Sequence, residues 1–96
     1  MLAAGFTHRP AEKLSERLVE QLPTPLQWVF YSDDGSTAVE VALKMAYQYH
    51  VQKQNTPGKR DLFVCLGEAY HGDTIGSVSV GGMPVFHAAY RDLLFE

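Results

Sequence analysis

Two short polar segments of the sequence combine residue types that suit the binding of a phosphorylated ligand. The first, residues 33–37, reads Asp-Asp-Gly-Ser-Thr and lies between an apolar run and a long helical pattern. A glycine lets a ligand approach the backbone, and the free amides at a helix N-terminus, with the positive end of the helix dipole, favour phosphate. The structural alternative is that Gly35 makes a tight turn and that Ser36 or Thr37 only caps the helix.

The second polar segment, residues 70–74, reads Tyr-His-Gly-Asp-Thr and follows a second apolar run. In α/β proteins ligands bind beyond the carboxyl ends of the strands, where the ring of Tyr70 can stack on a planar cofactor. The structural alternative makes Tyr70 a packed aromatic at the rim, His71 a hydrogen-bonded histidine, and Gly72 and Asp73 ordinary turn residues. Each segment alone is compatible with both interpretations.

Other reactive residue types do not form a catalytic or metal-binding pattern. The histidines outside these segments and Cys65 lack the spacing of metal ligands, so we expect no metal site. Cys65 lies in an apolar run and is expected to be an inert, buried side chain. The GxxxxGK[ST] pattern of P-loops, the GxGxxG fingerprint and the GxSxG turn of serine hydrolases are all missing.

Length and composition limit the classes of function further. The chain has 96 residues, 46% of them hydrophobic and 20% charged, which suffices for one globular domain. Its formal net charge of −3 offers no basic surface for nucleic acid or an anionic membrane. No apolar run approaches the roughly 18 residues of a membrane span, and the first residues lack a secretory signal. A single cysteine agrees with this, so we expect a soluble cytoplasmic protein.

The hydrophobic pattern predicts a first helix over residues 10–22. Thr7 can cap this helix, Pro10 suits its first turn, and Pro23 and Pro25 end it. The apolar residues that define its buried face are Leu14, Leu18, Val19 and Leu22.

A second, longer helix is predicted from Ser36 to about Gln54, because Thr37 and Glu40 have the spacing of a capping box. Apolar residues cover most of its circumference. Such a helix requires neighbours on several sides.

Two apolar runs flank this helix and predict buried strands at residues 27–32 and 62–66. Residues 55–58, Asn-Thr-Pro-Gly, predict a turn before the second strand. Strand, helix and strand together form a βαβ unit, so the predicted fold class is α/β. A short helix is expected over residues 75–80, and the tail, residues 81–96, is expected to be loop-like.

Three stretches together resemble one family over nearly the whole chain. They read THRPAEKLSERLVEQLP (7–23), VFYSDDGSTAVEVALKMAYQYH (29–50) and AYHGDTIGSVSVG (69–81). The sequence resembles the class III pyridoxal-phosphate-dependent aminotransferases, and among them the branch that acts in biotin biosynthesis. Many class III members carry Gly-Ser-Glu-Ala at the phosphate turn, whereas residues 35–40 here read Gly-Ser-Thr-Ala-Val-Glu, as in that branch. The resemblance implies the N-terminal part of the large domain of a fold-type I enzyme, with residues 1–96 a fragment of that one domain.

The resemblance also implies roles for residues in both polar segments. Gly35 and Ser36 would hold the phosphate of pyridoxal 5'-phosphate at the helix N-terminus. Tyr70 would stack against the pyridine ring of the cofactor. Asp73, together with Tyr70, would contribute to the substrate side of the site, and His71 and its neighbouring glycine would shape the turn.

The activity implied by the resemblance is transfer of the amino group of S-adenosylmethionine to 8-amino-7-oxononanoate by a homodimeric enzyme. None of the four lysines matches the context of the family's Schiff-base lysine, which we expect to lie outside this chain; they are Lys13, Lys44, Lys53 and Lys59. The chain alone is therefore expected to be inactive. Two alternatives stay open, namely another class III ω-aminotransferase and a non-catalytic product that binds only phosphate or a partner subunit.

Overall fold

The computed structural model describes residues 5–53 and 60–95. It contains two compact units, Met1–Tyr31 and Ser32–Glu96. The predicted turn at residues 55–58, the last residue of the predicted long helix and Lys59 lie outside the described residues. The helices are α1 (Arg9–Gln21), α2 (Gly35–Gln52), α3 (Ile75–Ser79), α4 (Pro84–His87) and a 3-10 helix (Arg91–Leu93).

The first unit is built on α1, which confirms the predicted first helix with a shift of one residue. Its N-cap is His8 and not Thr7: the His8 Nδ1 atom accepts a hydrogen bond from the Ala11 amide at 3.2 Å. The helix ends one residue before Leu22, because the proline that follows disfavours helical backbone at Leu22. Tyr31 ties the end of this unit to α1, since its hydroxyl donates to the Ala11 carbonyl at 3.0 Å.

The second unit begins with the cap of α2, which differs from the expected one. The capping box joins Asp34 and Thr37, and it does not join Thr37 and Glu40. Asp34 Oδ1 accepts from the Thr37 amide at 2.8 Å, while Thr37 Oγ1 accepts from the Asp34 amide at 3.1 Å. An aspartate is a strong N-cap acceptor, so the helix starts at Gly35, one residue earlier than predicted.

The prediction of two buried strands is wrong for the residues that the structure describes. Residues 27–32 and 62–66 have no regular secondary structure there, and neither run takes part in a strand ladder. Trp28 is 92% exposed and Val64 is 100% exposed. A strand requires a neighbour whose backbone completes its hydrogen bonds, and neither run has one within the described ranges. Cys65, expected to be buried in the second strand, is exposed.

The last third of the chain carries more helix than expected. α3 confirms the predicted short helix, and its Ser77 side chain is fully buried between Gly76 and Val78. The tail was expected to be loop-like, yet it forms α4 and the 3-10 helix. Pro84 explains the start of α4, because its fixed φ and missing N–H suit the first helical position.

α2 has no buried residue, although its surface is largely apolar. The side chains of Met45, Tyr47, Tyr49 and Val51 are each about half exposed. This exposure agrees with the expectation that the helix requires neighbours on several sides. Within the described ranges, no helix combines the length and the apolar character needed to cross a bilayer.

Candidate functional site

The N-terminus of α2 presents backbone donors to one side of its cap. Within the described ranges, the amides of Gly35 and Ser36 donate no hydrogen bond, whereas the Thr37 amide bonds to Asp34. The Thr37 hydroxyl is fully used by the cap, because it accepts from Ser32 Oγ at 2.5 Å and donates to the Asp34 carbonyl at 3.1 Å. Thr37 is therefore a structural residue. Gly35 and Ser36 remain the free donors at the positive end of the helix.

The structure brings the second polar segment directly against this helix end. The amide of Asp73 donates to Ser36 Oγ at 3.0 Å, and Ser77 Oγ donates to the Ser36 carbonyl at 3.0 Å. Ser36 Oγ thus accepts one bond and keeps its own hydrogen for a second partner. The two segments form one site, although every residue of one lies at least 33 positions from every residue of the other. For example, the Asp73 to Ser36 bond spans 37 residues.

Gly72 allows this close approach. Its φ is +125°, a backbone conformation that side chains disfavour, and a Cβ at this position would overlap the Ser36 side chain. Gly35 differs, because nothing lies within 4 Å of the position that its Cβ would take. The space in front of Gly35 is therefore open to a ligand, while the space at Gly72 is filled by Ser36.

Tyr70 lies at the exposed edge of the site with its ring packed on one side. The ring centroids of Tyr70 and Phe86 are 5.3 Å apart, with an interplanar angle of 47°. The side chain is 52% exposed, so one part of the ring is available for contact. A hydrogen bond to the Asp73 carboxylate raises the pKa of Tyr70 above its ordinary value, because the bond stabilises the neutral phenol and the negative charge opposes ionisation. The Tyr70 hydroxyl and the Asp73 carboxylate therefore lie close enough to interact.

Two histidines lie close to this site without a matching role. His71 is exposed in the turn. His87 Nε2 is buried and has no hydrogen-bond partner within the described ranges. The His87 side chain, together with Tyr70 and His71, lines a small cavity of about 10 Å³. Among the residues that the structure describes, no three His, Cys, Asp or Glu side chains are grouped so that they could hold a metal ion.

Comparisons with known proteins show the family to which this chain belongs. The sequence model of the family described as "Aminotransferase class-III" matches residues 1–94. The chain belongs to the class III aminotransferase family. This family is pyridoxal-phosphate-dependent, as the resemblance in the sequence implied.

The two relatives described next have the same name. The chain is 53% identical over 92 residues to the adenosylmethionine-8-amino-7-oxononanoate aminotransferase of Aquifex aeolicus, covering 96% of this chain and 20% of that protein. It is 48% identical over 94 residues to the Staphylococcus aureus protein of the same name, covering 96% of this chain and 21% of that protein. The chain thus spans about a fifth of the length of the curated relatives it matches.

A solved structure shows the same local fold. The crystal structure of adenosylmethionine-8-amino-7-oxononanoate aminotransferase from Methanocaldococcus jannaschii matches with a TM-score of 0.87 and 44% sequence identity. The match covers 100% of this chain and 22% of that chain. The described backbone is therefore that of one part of a class III aminotransferase.

The residues of the site fit the phosphate and the ring of pyridoxal 5'-phosphate. The amides of Gly35 and Ser36 and the hydroxyl hydrogen of Ser36 are donors without an acceptor among the residues that the structure describes. The space in front of Gly35 is open, so a phosphate can reach these donors. Asp34 is the nearest carboxylate in sequence, and its Oδ1 atom is bound to the Thr37 amide. The exposed part of the Tyr70 ring offers a flat apolar surface to a planar ligand.

Sequence reasoning missed the residues that join the two segments. Ser77 and Glu40 each bond across from one helix to the other, to the Ser36 carbonyl and the Gly76 amide. The available signal was the run of small residues after Thr74, which indicates close packing of backbone. The partner of each small residue could not be read from that run.

Proposed function

We propose that this chain supplies the phosphate-binding and ring-binding part of a pyridoxal-phosphate-dependent transaminase. The full enzyme would transfer the amino group of S-adenosylmethionine to 8-amino-7-oxononanoate, giving 7,8-diaminononanoate. The single observation that carries the proposal is the bond from the Asp73 amide to Ser36 Oγ, which joins the two polar segments at the start of α2. The names of the relatives support the choice of substrates.

The phosphate end of the cofactor is assigned to Gly35 and Ser36. Their amides and the Ser36 hydroxyl would donate to phosphate oxygens, and the dipole of α2 would stabilise the negative charge. Because these donors are fixed by the cap of an 18-residue helix, they require little rearrangement when the ligand binds. Pyridoxal phosphate, when bound, supplies an electron sink for charge that develops on the substrate.

The ring and substrate end is assigned to Tyr70 and Asp73. The exposed part of the Tyr70 ring would cover one face of the cofactor and exclude water there. Its contact with Phe86 limits how far the ring can tilt. The exposed Asp73 carboxylate would attract a cationic amino group of the substrate, and its interaction with the Tyr70 hydroxyl raises the pKa of Tyr70.

Further parts of the enzyme are assigned outside these residues. We assign the Schiff-base lysine of the family to another part of the full-length protein. The proposal also includes a homodimeric assembly, and it places residues 1–96 within one large domain. A cytoplasmic location stays a prediction from the sequence.

The test is an assay of the full-length protein that carries this sequence. The purified enzyme is loaded with pyridoxal phosphate and given 8-amino-7-oxononanoate with S-adenosylmethionine, and the diamine product is measured by mass spectrometry. We expect turnover with this donor. Turnover only with other amino donors would replace this proposal by the second candidate, a class III ω-aminotransferase of different specificity. Absence of both turnover and cofactor binding would contradict the transaminase assignment.

A further inference from the structure

Glu40 reaches from α2 to the beginning of α3. Its Oε1 atom accepts a hydrogen bond from the Gly76 amide at 2.6 Å. This bond joins residues that are 36 positions apart, and it is partly buried. A short bond from an amide to a carboxylate, shielded from water, is stronger than one between neutral groups.

α3 has no local side chain that caps its first turn. Thr74 is its N-cap residue, and its side chain accepts no capping bond from the helix amides, while its hydroxyl donates to Ser77 Oγ. The first amides of a helix have no partner within the helix. Glu40 supplies the missing acceptor from another helix, and its negative charge suits the N-terminal end of α3.

The bond belongs to a matched set. Ser36 and Glu40 are four positions apart on α2, so they lie on the same face of that helix. The Asp73 amide donates to the Ser36 side chain, and the Gly76 amide donates to the Glu40 side chain. Ser77 adds a third bond, to the Ser36 carbonyl. A Cβ on Gly76 would overlap the Glu40 carboxylate, so the approach is as close as glycine permits.

We propose that Glu40 is a positioning residue for the cofactor site. By holding the Gly76 amide, it fixes the start of α3, and through the short connection it fixes Asp73 and Tyr70 relative to the phosphate donors of α2. This inference rests on the function proposed above for those residues. Glu40 itself contacts neither cofactor nor substrate.

The experiment compares Glu40→Met with Glu40→Gln in the full-length protein. Methionine keeps the length of the side chain and removes the acceptor, while glutamine keeps an acceptor oxygen and removes the charge. Glu16→Gln on the exposed face of α1 is the control. Hydrogen exchange over residues 70–80 is followed by mass spectrometry without cofactor, and the affinity for pyridoxal 5'-phosphate is measured by equilibrium dialysis.

In Glu40→Met we expect exchange at the start of α3 to become roughly ten- to a hundredfold faster, the factor that loss of one charge-assisted bond implies. We expect weaker cofactor binding with it. Glu40→Gln, which keeps an acceptor oxygen and loses the charge, is expected to show both changes at a smaller but measurable size, and Glu16→Gln to leave both unchanged. Equal exchange and equal affinity in Glu40→Met and the wild type would overturn the proposal.

Two further outcomes distinguish a failure of the Glu40 proposal from a failure of the proposed function. If Glu40→Met does not fold, the comparison of Glu40→Gln with the wild type decides, and unchanged exchange and unchanged affinity in it would overturn the proposal. If the wild type binds no pyridoxal phosphate, the proposed function fails. The exchange result then still decides whether Glu40 holds α3.

Discussion

α2 and α3 differ in what surrounds them. α2 has 18 residues and none of them is buried, whereas α3 has five residues, of which Gly76, Ser77 and Val78 are buried. The long helix has the apolar surface, and the short helix has the close packing. In this chain, hydrogen bonds from small and polar residues build the site, and apolar burial contributes little to it.

This difference follows from what each helix contacts. α3 lies against α2 through the bonds of Ser36 and Glu40, which satisfy backbone groups that water would otherwise have to solvate. The remaining surface of α2 has no such partner within the described ranges. Because the chain spans about a fifth of the length of its relatives, we propose that other parts of the full protein cover that surface.

The strongest way to break the packed region is the substitution Gly72→Ala. A methyl group there would overlap Ser36, and the φ of +125° is unfavourable for alanine. We expect a loss of about 3 kcal/mol in the free energy of unfolding, the sum of backbone strain and overpacking. Denaturant unfolding of the full-length protein measures it. Gly67→Ala is the matched control, since nothing lies within 4 Å of that site, and equal losses in both variants would refute the close approach.

The exposed region is tested by Met45→Ala in the full-length protein. If another part of the enzyme covers α2, removing this side chain leaves a cavity and costs about 2 kcal/mol or more. Lys44→Ala, one position earlier on the same helix, is expected to change the stability by less than about 0.5 kcal/mol. Denaturant unfolding of both variants gives the comparison. A small effect for Met45→Ala would show that its half-exposed state persists in the whole protein.

A milder test of the packed region is Ser77→Ala. Its fully buried hydroxyl joins the Ser36 carbonyl and the Thr74 hydroxyl, so we expect a loss of about 1–2 kcal/mol. The control is Ser79→Ala on the same helix, whose hydroxyl bonds nearer the surface and is expected to matter less. If Ser79→Ala costs as much as Ser77→Ala in the same unfolding experiment, the buried bond is not what holds α3.

The smallest expected effect concerns the pair at the edge of the site. Asp73→Asn removes the carboxylate that raises the pKa of Tyr70, so this pKa should fall toward its ordinary value of 10.0. Since folding raises this pKa, the stabilisation is present at neutral pH and is lost as the pH rises through the folded value. Ultraviolet titration with Tyr70→Phe as the reference isolates the signal. An unchanged pKa in Asp73→Asn would remove the hydrogen bond from the account.

Local patterns predicted the helices better than the strands. The first residue of α1 and of α3 depends on neighbouring residues. Proline and polar residues therefore predict both helix starts to within one position. The runs at 27–32 and 62–66 have the composition of buried strands, yet a strand depends on a partner that composition does not supply. The cap of α2 was misplaced because Thr37 fits two capping boxes by spacing, and Asp34 is the partner that the structure uses.

For the site, the sequence predicted the two segments and could not predict their contact. Glycine, serine and aromatic residues at the ends of apolar runs indicate where a ligand is expected to bind. The bonds that join Asp73 to Ser36 and Gly76 to Glu40 span more than 30 positions, and no local pattern encodes which residues meet. The roles of Gly35, Ser36, Tyr70 and Asp73 toward a cofactor stay predictions.

The central claim is that the start of α2 binds the phosphate of the cofactor while Tyr70 binds its ring. The most direct test measures the affinity of the full-length protein for pyridoxal 5'-phosphate and for pyridoxal, which lacks the phosphate, in Ser36→Ala and Tyr70→Ala. We expect Ser36→Ala to weaken binding of the phosphorylated compound about tenfold more than binding of pyridoxal, as loss of one charge-assisted hydrogen bond to the phosphate implies. Tyr70→Ala should weaken both. Equal losses for the two compounds in Ser36→Ala, or none, would contradict the account.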